Sequence, residues 1–406
     1  MTDFNCLPRE LQEALKRCDL LAGEEQLEYY YQLYDPATGG FYYSISSRDS
    51  EEMTPFAEGT RFSLEALRMG GMVLPEWYKE KVGSWILNHQ DESDGFFYED
   101  LWGTETRRWG NRINRDLAYS VDILRSYCGI EPKYKLPQDR IRSGEGAKNV
   151  PDFLESEEKM IEYLDSCDWS QKGAYGTGSG LATRRSLITA AGLLPTVRNY
   201  IVRKQNPETG LWGDGLGWNN TNAAMKLSGY FTKDFPYPNV EAAVDSVIKL
   251  FGGDEPPSTA TWIWNPFVML ERALATNEDK AEKMRRLLNE KGAEIVNLAV
   301  DCALKLKRSD GGFAGLSSRG SARQQGFLYG HGLNGESDLD GTLIAGPRLR
   351  DSIYSVFGLV PSHDYYAKFN DEFWERCKSK PNIVKTLPRP EGEITTNSHP
   401  PVNKPV

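Results

Sequence analysis

The sequence predicts an all-α protein, an (α/α)6 toroid or barrel of six helical hairpins. Three observations support this fold class. Amphipathic stretches alternate with stretches rich in small residues, a glycine–aromatic turn recurs between them, and no segment shows the strict alternation of a β-strand. Six successive pairs suggest six inner helices ringed by six outer ones. The second member of each pair carries less charge and is the better inner candidate.

The recurring turn follows a common plan: an aromatic–aliphatic helical segment, a polar residue, a short turn, then Gly-x-aromatic. Full copies occupy 34–41, 90–97, 168–175 and 205–212, and a shortened copy occupies 308–313. Glycine allows the backbone to turn where other residues would clash, and the aromatic ring can fix the turn against neighbouring helices. The repeat therefore predicts where each hairpin turns.

The helices are predicted from the same periodicity. The first members of the pairs are predicted at 9–33, 76–89, 155–167, 195–204, 239–252 and 280–307. The second members are predicted at 60–70, 113–128, 181–193, 220–231, 259–274 and 339–358. A last helix is predicted near 364–378. One toroid domain is therefore expected over 1–379, followed by a Pro-rich tail, 380–406, that is predicted to be disordered.

Two of the turns resemble known motifs. The Gln-x4-Gly-x-Trp pattern at 205–212, preceded by Tyr200-Ile201, resembles the QW repeat of terpenoid cyclases. The Asp-Gly-Gly-Phe turn at 310–313 resembles a loop of protein prenyltransferase β subunits. This resemblance implies membership of the α/α-toroid superfamily. The predicted six-hairpin toroid also resembles that of single-chain carbohydrate-active (α/α)6 enzymes, so the resemblance leaves the chemistry open.

Composition excludes several classes of protein. The net charge of −10, from 48 basic and 58 acidic residues, argues against a dedicated nucleic-acid binder. No apolar run approaches the roughly 20 residues of a membrane span, and no signal-peptide pattern is present, so a cytoplasmic location is expected. The six cysteines and four histidines are scattered, which predicts no metal site. No nucleotide-binding motif supports a cofactor, and the oligomeric state is left open.

A pair of acidic residues opens the sixth predicted inner helix. Asp338-Leu-Asp340-Gly-Thr342 resembles the D-x-D-D-T signature of class II terpene cyclases, which implies that Asp340 is a general acid with Asp338 as its neighbour. Gly341 stands where the signature has a third carboxylate. Two nearby carboxylates raise one pKa and so retain a proton near neutral pH. Helix capping by Asp338 is the alternative interpretation.

Two further segments supply candidate catalytic groups. In 111–116, Asp116 is a candidate second carboxylate, and Asn114 and Arg115 are candidates for binding an anionic or hydroxylated ligand. The Gly-rich segment 325–336 contributes Tyr329 and His331 as acid/base or lid residues. The alternative for the first segment is an exposed helix start with an Asn cap.

The remaining candidates bind rather than react. They are an arginine suited to an anion, asparagines that offer donors and acceptors, and tryptophans that could stack on a sugar or a carbocation: Arg184, Asn220, Asn222, Asn265, Trp262 and Trp264. Helix caps, a solvated arginine and core aromatics are the alternatives.

These residues favour a carbohydrate-active enzyme that cleaves a small oligosaccharide, including an acidic one that contains uronic acid. Hydrolysis would use Asp340 as acid and Asp116 as base or nucleophile. Elimination would use Tyr329 or His331 as base, with Asn and Arg neutralising the uronate. Two alternatives stay open: an isoprenoid enzyme like the class II terpene cyclases, with Asp340 as general acid, and a non-catalytic toroid that binds a glycan or peptide. The expected partner is a small molecule.

Overall fold

The computed structural model describes residues 2–108 and 110–392 and is mostly helical, with 57% helix and 5% strand. The all-α class is therefore confirmed. The helices are α1 Arg9–Arg17, α2 Glu25–Leu33, α3 Ile45–Asp49, α4 Ala57–Met69, α5 Glu76–Asn88, α6 Gly110–Asp122, α7 Pro137–Arg142, α8 Glu157–Ser166, α9 Ala174–Thr183, α10 Arg185–Ala190, α11 Leu194–Lys204, α12 Trp218–Ser228, α13 Val240–Phe251, α14 Ala260–Thr276, α15 Glu278–Leu304, α16 Leu339–Ala345, α17 Pro347–Val356 and α18 Asn370–Ser379.

Within residues 2–108 and 110–392, the strands form two short hairpins. One joins β1 Gln205–Asn206 to β2 Leu211–Trp212, and the other joins β3 Arg323–Gln324 to β4 Phe327–Leu328. A helix lies in every segment predicted to be helical, but some segments are divided. The segment 9–33 breaks between α1 and α2, and the segment 339–358 breaks where Pro347 begins α17. The helix α6 continues as a π-helical turn, Ile123–Cys128.

The repeated turns share one backbone register. Antiparallel bridges join Tyr34 to Phe41, Gln90 to Phe97, Gln205 to Trp212 and Lys307 to Phe313, which are equivalent positions of the repeat. The Gln205 amide donates to the carbonyl of Gly210 at 2.8 Å, and Trp212 Nε1 donates to the carbonyl of Ile201 at 2.8 Å. Gly210 has φ +64°, a left-handed conformation that favours glycine at this position.

The copy at 168–175 does not form this turn. Gly173 has φ −94° and caps the N-terminus of α9, and Tyr175 is 36% exposed on that helix. Helix α9 begins earlier than predicted although its glycines have low helix propensity, and Thr177 Oγ1 donates back to the carbonyl of Asp168 at 2.8 Å. The prediction of a glycine–aromatic turn here is therefore wrong.

The chain forms two compact units, each assembled from separate stretches of sequence. Unit 1 contains Asp152–Leu306, Ile344–Ser362 and the described residues up to Ala22. In unit 1, α12 packs between α9 and α14, and α15 packs against α1. Unit 2 contains Gly23–Pro151, Lys307–Leu343 and the described residues from His363 onward, and its core is rich in tyrosine, phenylalanine and tryptophan. The single domain expected over 1–379 stays a prediction.

The first part of the Pro-rich tail contacts other residues of unit 2. Lys380 Nζ donates to three backbone carbonyls at the end of α2: Tyr31 at 2.6 Å, Tyr34 at 2.8 Å and Gln32 at 2.9 Å. Further along, Leu387 forms a parallel bridge with Ser50. The contacts of Lys380 are those that lysine ammonium groups make with carbonyls near a helix C-terminus. The predicted disorder of 380–406 stays a prediction. Residues 393–406 lie outside the described residues.

Candidate functional site

The first turns of α4 and α6 carry a buried network of charged side chains in unit 2. The Glu58 carboxylate accepts hydrogen bonds from Arg112 Nη1 at 2.6 Å and from Arg115 Nη2. Asp116 accepts from Arg112 Nε at 2.9 Å and from Trp102 Nε1 at 3.2 Å. Arg112 and Asp116 meet because residues four apart share one face of a helix. The Arg115 side chain is 12% exposed, whereas those of Glu58, Arg112 and Asp116 are fully buried.

The pKa values in this network divide the carboxyl groups into two kinds. Burial would raise the pKa of Glu58, but the charges of Arg115 and Arg112 outweigh it and hold that pKa below its usual range. Burial, followed by the charge of Asp116, raises the pKa of Glu99 well above its usual range. Burial also raises the pKa of Asp116, although the charge of Arg112 opposes this rise. Glu58 is thus the carboxyl group whose charged form the arginines favour.

Asp338 is a structural residue at the start of α16. It is fully buried and accepts hydrogen bonds from three backbone N–H groups: Gly341 at 2.6 Å, Ser321 at 2.7 Å and Gly315 at 2.8 Å. The Tyr43 hydroxyl lies 3.4 Å away as a further donor. Burial, and then the charge of Asp340, raise the pKa of Asp338 to about 6 against the effect of these donors. Asp338 thus caps α16 and fixes two loops, and solvent does not reach it.

The position that lacks the third carboxylate of the D-x-D-D-T signature has no room for a side chain. A Cβ atom at Gly341 would lie 2.4 Å from Ala314 C and from Gly315 N, both backbone atoms. The close approach of α16 to the 313–315 backbone therefore requires glycine.

Asp340 lies half-buried on the first turn of α16. Its charge contributes to raising the pKa of Arg115, after the larger effects of burial, which opposes the rise, and of Glu58. The tip of the β3–β4 hairpin lies against the same arginine. In the amide orientation that satisfies both atoms, Gln325 accepts from Arg115 Nη1 at 2.5 Å and donates to the carbonyl of Asn111 at 3.2 Å. Asp340 is thus a half-buried carboxyl group whose charge acts on Arg115, which Glu58 and Gln325 contact directly.

Tyr329 is enclosed by aromatic rings. Its ring stacks on Phe56 at 4.8 Å and lies 4.5 Å from the ring of Tyr43 and 6.1 Å from that of Trp102. Burial raises the pKa of Tyr329 well above its usual range, and the charge of Glu58 acts in the same direction. Tyr329 is fully buried, so its predicted role as an acid/base group is not supported by its position.

Two other predicted residues of unit 2 have local structural contacts. His331 Nε2 lies 2.8 Å from Ser50 Oγ and 3.2 Å from the carbonyl of Pro388, and these contacts join the Gly-rich segment to the C-terminal segment. Asn114 is buried and donates to the carbonyl of Gly110 at 2.6 Å. Asn114 Oδ1 is buried and has no hydrogen-bond partner among the described residues.

The predicted asparagines belong to unit 1 and pair within it. Asn220 donates to the carbonyl of Trp212 at 2.9 Å and accepts from Gln171 Nε2 at 3.3 Å. Asn265 Nδ2 donates to Asn222 Oδ1 at 2.6 Å, which links α14 to α12. All three asparagines are at most 4% exposed, so their contacts stabilise helix packing.

The remaining predicted residues of unit 1 are also packed. Trp264 Nε1 lies 3.2 Å from Ser352 Oγ, and the Arg348 guanidinium lies 5.1 Å from the Trp264 ring. Trp262 is half-buried. Arg184 is 1% exposed, donates to the carbonyl of Gly180 at 3.0 Å, and has its pKa lowered by burial.

Sequence reasoning missed the two glutamates of the network. Glu58 precedes the predicted start of the first inner helix at residue 60, whereas α4 begins at Ala57. The available signal was an acidic residue among the small residues Ala57, Gly59 and Thr60 at the start of the helix. Glu99 lies between Tyr98 and Asp100 in a loop, where no spacing distinguishes it.

The structure and the comparisons with known proteins leave the family open. Among the described residues, no three His, Cys, Asp or Glu side chains cluster so as to hold a metal ion, and no helix is long and apolar enough to cross a membrane. No protein-family model matches the chain, and no curated protein matches it significantly.

Proposed function

We propose that the helix pairs close into an (α/α)6 toroid and that the protein is a carbohydrate-active enzyme acting on a small oligosaccharide that contains uronic acid. The common register of four turns supports the repeated hairpin. The half-buried Asp340, whose charge acts on Arg115, carries the functional proposal. Arg115 would bind the uronate carboxylate in place of the Gln325 amide that it now contacts, while Asp340 exchanges a proton.

The burial of Asp116 favours elimination over hydrolysis. Hydrolysis needs a second carboxylate that reaches water or the sugar, but Asp116 is fully buried and bonded to Arg112 and Trp102. In elimination, Asp340 removes the proton beside the uronate carboxylate, a carbon–carbon double bond forms, and the glycosidic bond breaks. The departing oxygen then takes the proton from Asp340. This role replaces the base predicted at Tyr329 or His331.

Activity assays with trigalacturonate test the proposal, because elimination creates a double bond that absorbs ultraviolet light. We expect Asp340→Asn to lower kcat by about 10²–10⁴-fold, the usual contribution of a positioned acid/base group. Asp214→Asn makes the same chemical change at an exposed residue and should leave kcat unchanged. Absence of turnover by the wild type, or full activity of Asp340→Asn, would contradict the proposal.

An isoprenoid enzyme is the second candidate, because aromatic rings surround Tyr329, on which the charge of Asp340 acts. Phe56, Trp102 and Tyr43 lie within 6.1 Å of the Tyr329 ring, and aromatic faces stabilise carbocations. Incubation with geranylgeranyl diphosphate, followed by mass spectrometry, tests this alternative. A cyclised product that disappears in Asp340→Asn would favour it over the sugar proposal. Turnover of neither substrate would favour a non-catalytic binding protein.

A further inference from the structure

A basic pocket lies in unit 1, where the C-terminal ends of α12 and α14 meet the start of α10. Its volume is about 440 Å³, within the range of about 300–1,000 Å³ that is typical of small-molecule sites. Its polar lining consists of Arg185, Lys226, Ser228, Arg272 and Thr276. Among the described residues, the lining holds three cations and no carboxylate.

Two of these cations face one spot above Gly229. A Cβ atom at this glycine would lie 3.5 Å from Arg185 Nη1 and 4.0 Å from Arg272 Nη1. The backbone there is right-handed, with φ −64° and ψ −13°, so the conformation itself does not require glycine. The missing side chain keeps open a space that two guanidinium groups flank.

The positive charge of the pocket exceeds what helix capping explains. Arg272 Nη1 donates to the carbonyl of Met225 at 3.1 Å, as cations do at helix C-termini. Arg185 comes from another helix, and its guanidinium lies 5.8 Å from the Tyr230 ring. Within the part of the chain that the structure describes, neither arginine forms an ion pair. Burial, the charge of Arg348 and that of Arg185 lower the pKa of Arg272, although Glu271 opposes them.

We propose that this pocket binds the phosphate group of a phosphorylated small molecule. Two guanidiniums match the oxygens of a phosphate, and the Lys226 ammonium adds a point charge. The remaining volume accommodates the organic part of the ligand beside Tyr230. This ligand site is separate from Asp340 and does not depend on the proposed function.

Calorimetric titration of the full chain tests the site. The probes are inorganic phosphate, glucose 6-phosphate and galacturonate, with sodium chloride added to equalise ionic strength. We expect saturable binding of both phosphates, with affinity at least about tenfold lower in Arg185→Ala and in Arg272→Ala, since each removes charged hydrogen bonds. Arg286→Ala removes a 76% exposed arginine and should bind like the wild type.

Three outcomes of the titration would overturn the proposal. The first is that no phosphate binds saturably at concentrations below about 10 mM, which is weaker than ordinary metabolite affinities. The second is unchanged affinity in Arg185→Ala, and the third is tighter binding of galacturonate than of either phosphate. The last result would assign the pocket to a carboxylate.

A pair of substitutions at Gly229 tests the pocket without any ligand. Gly229→Asp places a carboxylate between the guanidiniums, and Gly229→Asn places a neutral group of the same size there. We expect a higher thermal midpoint for the Asp variant than for the Asn variant, and loss of phosphate binding in both. An equal or lower midpoint for the Asp variant, or retained phosphate binding in either, would show that the positive charge does not converge on this spot.

Discussion

Replacing Glu58 with glutamine is expected to cost the fold at least about 3 kcal/mol. Its carboxylate accepts from both Arg112 and Arg115, and the side chains of Glu58 and Arg112 are fully buried. With glutamine at position 58, two arginines would share one bonded carboxylate, that of Asp116, so one positive charge would be in excess. Breaking a buried ion pair by removing one partner costs about 3–5 kcal/mol, because the other charge stays buried.

Urea unfolding followed by tryptophan fluorescence measures this loss. Glu76→Gln is the matched control, because Glu76 is 79% exposed and pairs with Lys79 at 2.5 Å. An exposed pair contributes about 0.2–1 kcal/mol, so the control should hardly move the midpoint. The double variant with Glu58→Gln and Arg115→Gln should lose less than the sum of the two single losses. A Glu58→Gln loss below about 1 kcal/mol, or strictly additive losses, would refute the reasoning.

Three further predictions follow from the site. Asp338→Ala removes the acceptor of one buried and two part-buried N–H groups. The buried group alone costs about 1–3 kcal/mol, so urea unfolding should show a loss of at least about 1 kcal/mol, and an unchanged midpoint would contradict the capping role. Burial and Asp116 raise the pKa of Glu99, so wild-type stability should fall as pH rises above the unfolded value of 4.5. Glu99→Gln should therefore match the wild type near pH 4 and exceed it near pH 8, and a pH-independent difference in urea midpoint would contradict this. Gly341→Asp restores the third carboxylate but brings Cβ within 2.4 Å of backbone atoms, so we expect little soluble protein, whereas a wild-type midpoint would show that α16 can shift.

The helices were largely predictable because hydrophobic periodicity reports which face is buried. The turns were predictable where glycine has a positive φ, as at Gly210. The prediction failed at Gly173, where the glycine caps a helix instead. The two segments share the spacing of a polar residue, a glycine and an aromatic residue but differ at the polar position. The Gln205 amide bridges its turn by donating to the carbonyl of Gly210, whereas the Asp168 carboxylate accepts from the N–H of Ser170.

The candidate site was predictable only in part. The D-x-D spacing led to Asp340, and the polar start of α6 led to Arg115. Solvent access was not predictable, because burial of Asp116 and Tyr329 depends on residues distant in sequence, such as Trp102 and Phe56. No sequence signal marked Glu99, since its pKa is raised by tertiary burial and by the charge of Asp116 on another segment.

The interleaving of the two units has a consequence for biosynthesis. Unit 2 joins Gly23–Pro151 to Lys307–Leu343, so its first stretch emerges from the ribosome long before the second. At about 5–20 residues per second, the delay is on the order of 10–40 s. During that time, aromatic surfaces of the first stretch lack the partners that bury them in the finished unit, such as Phe327 and Tyr329. We therefore expect the nascent chain to expose these aromatic surfaces until the second stretch has emerged.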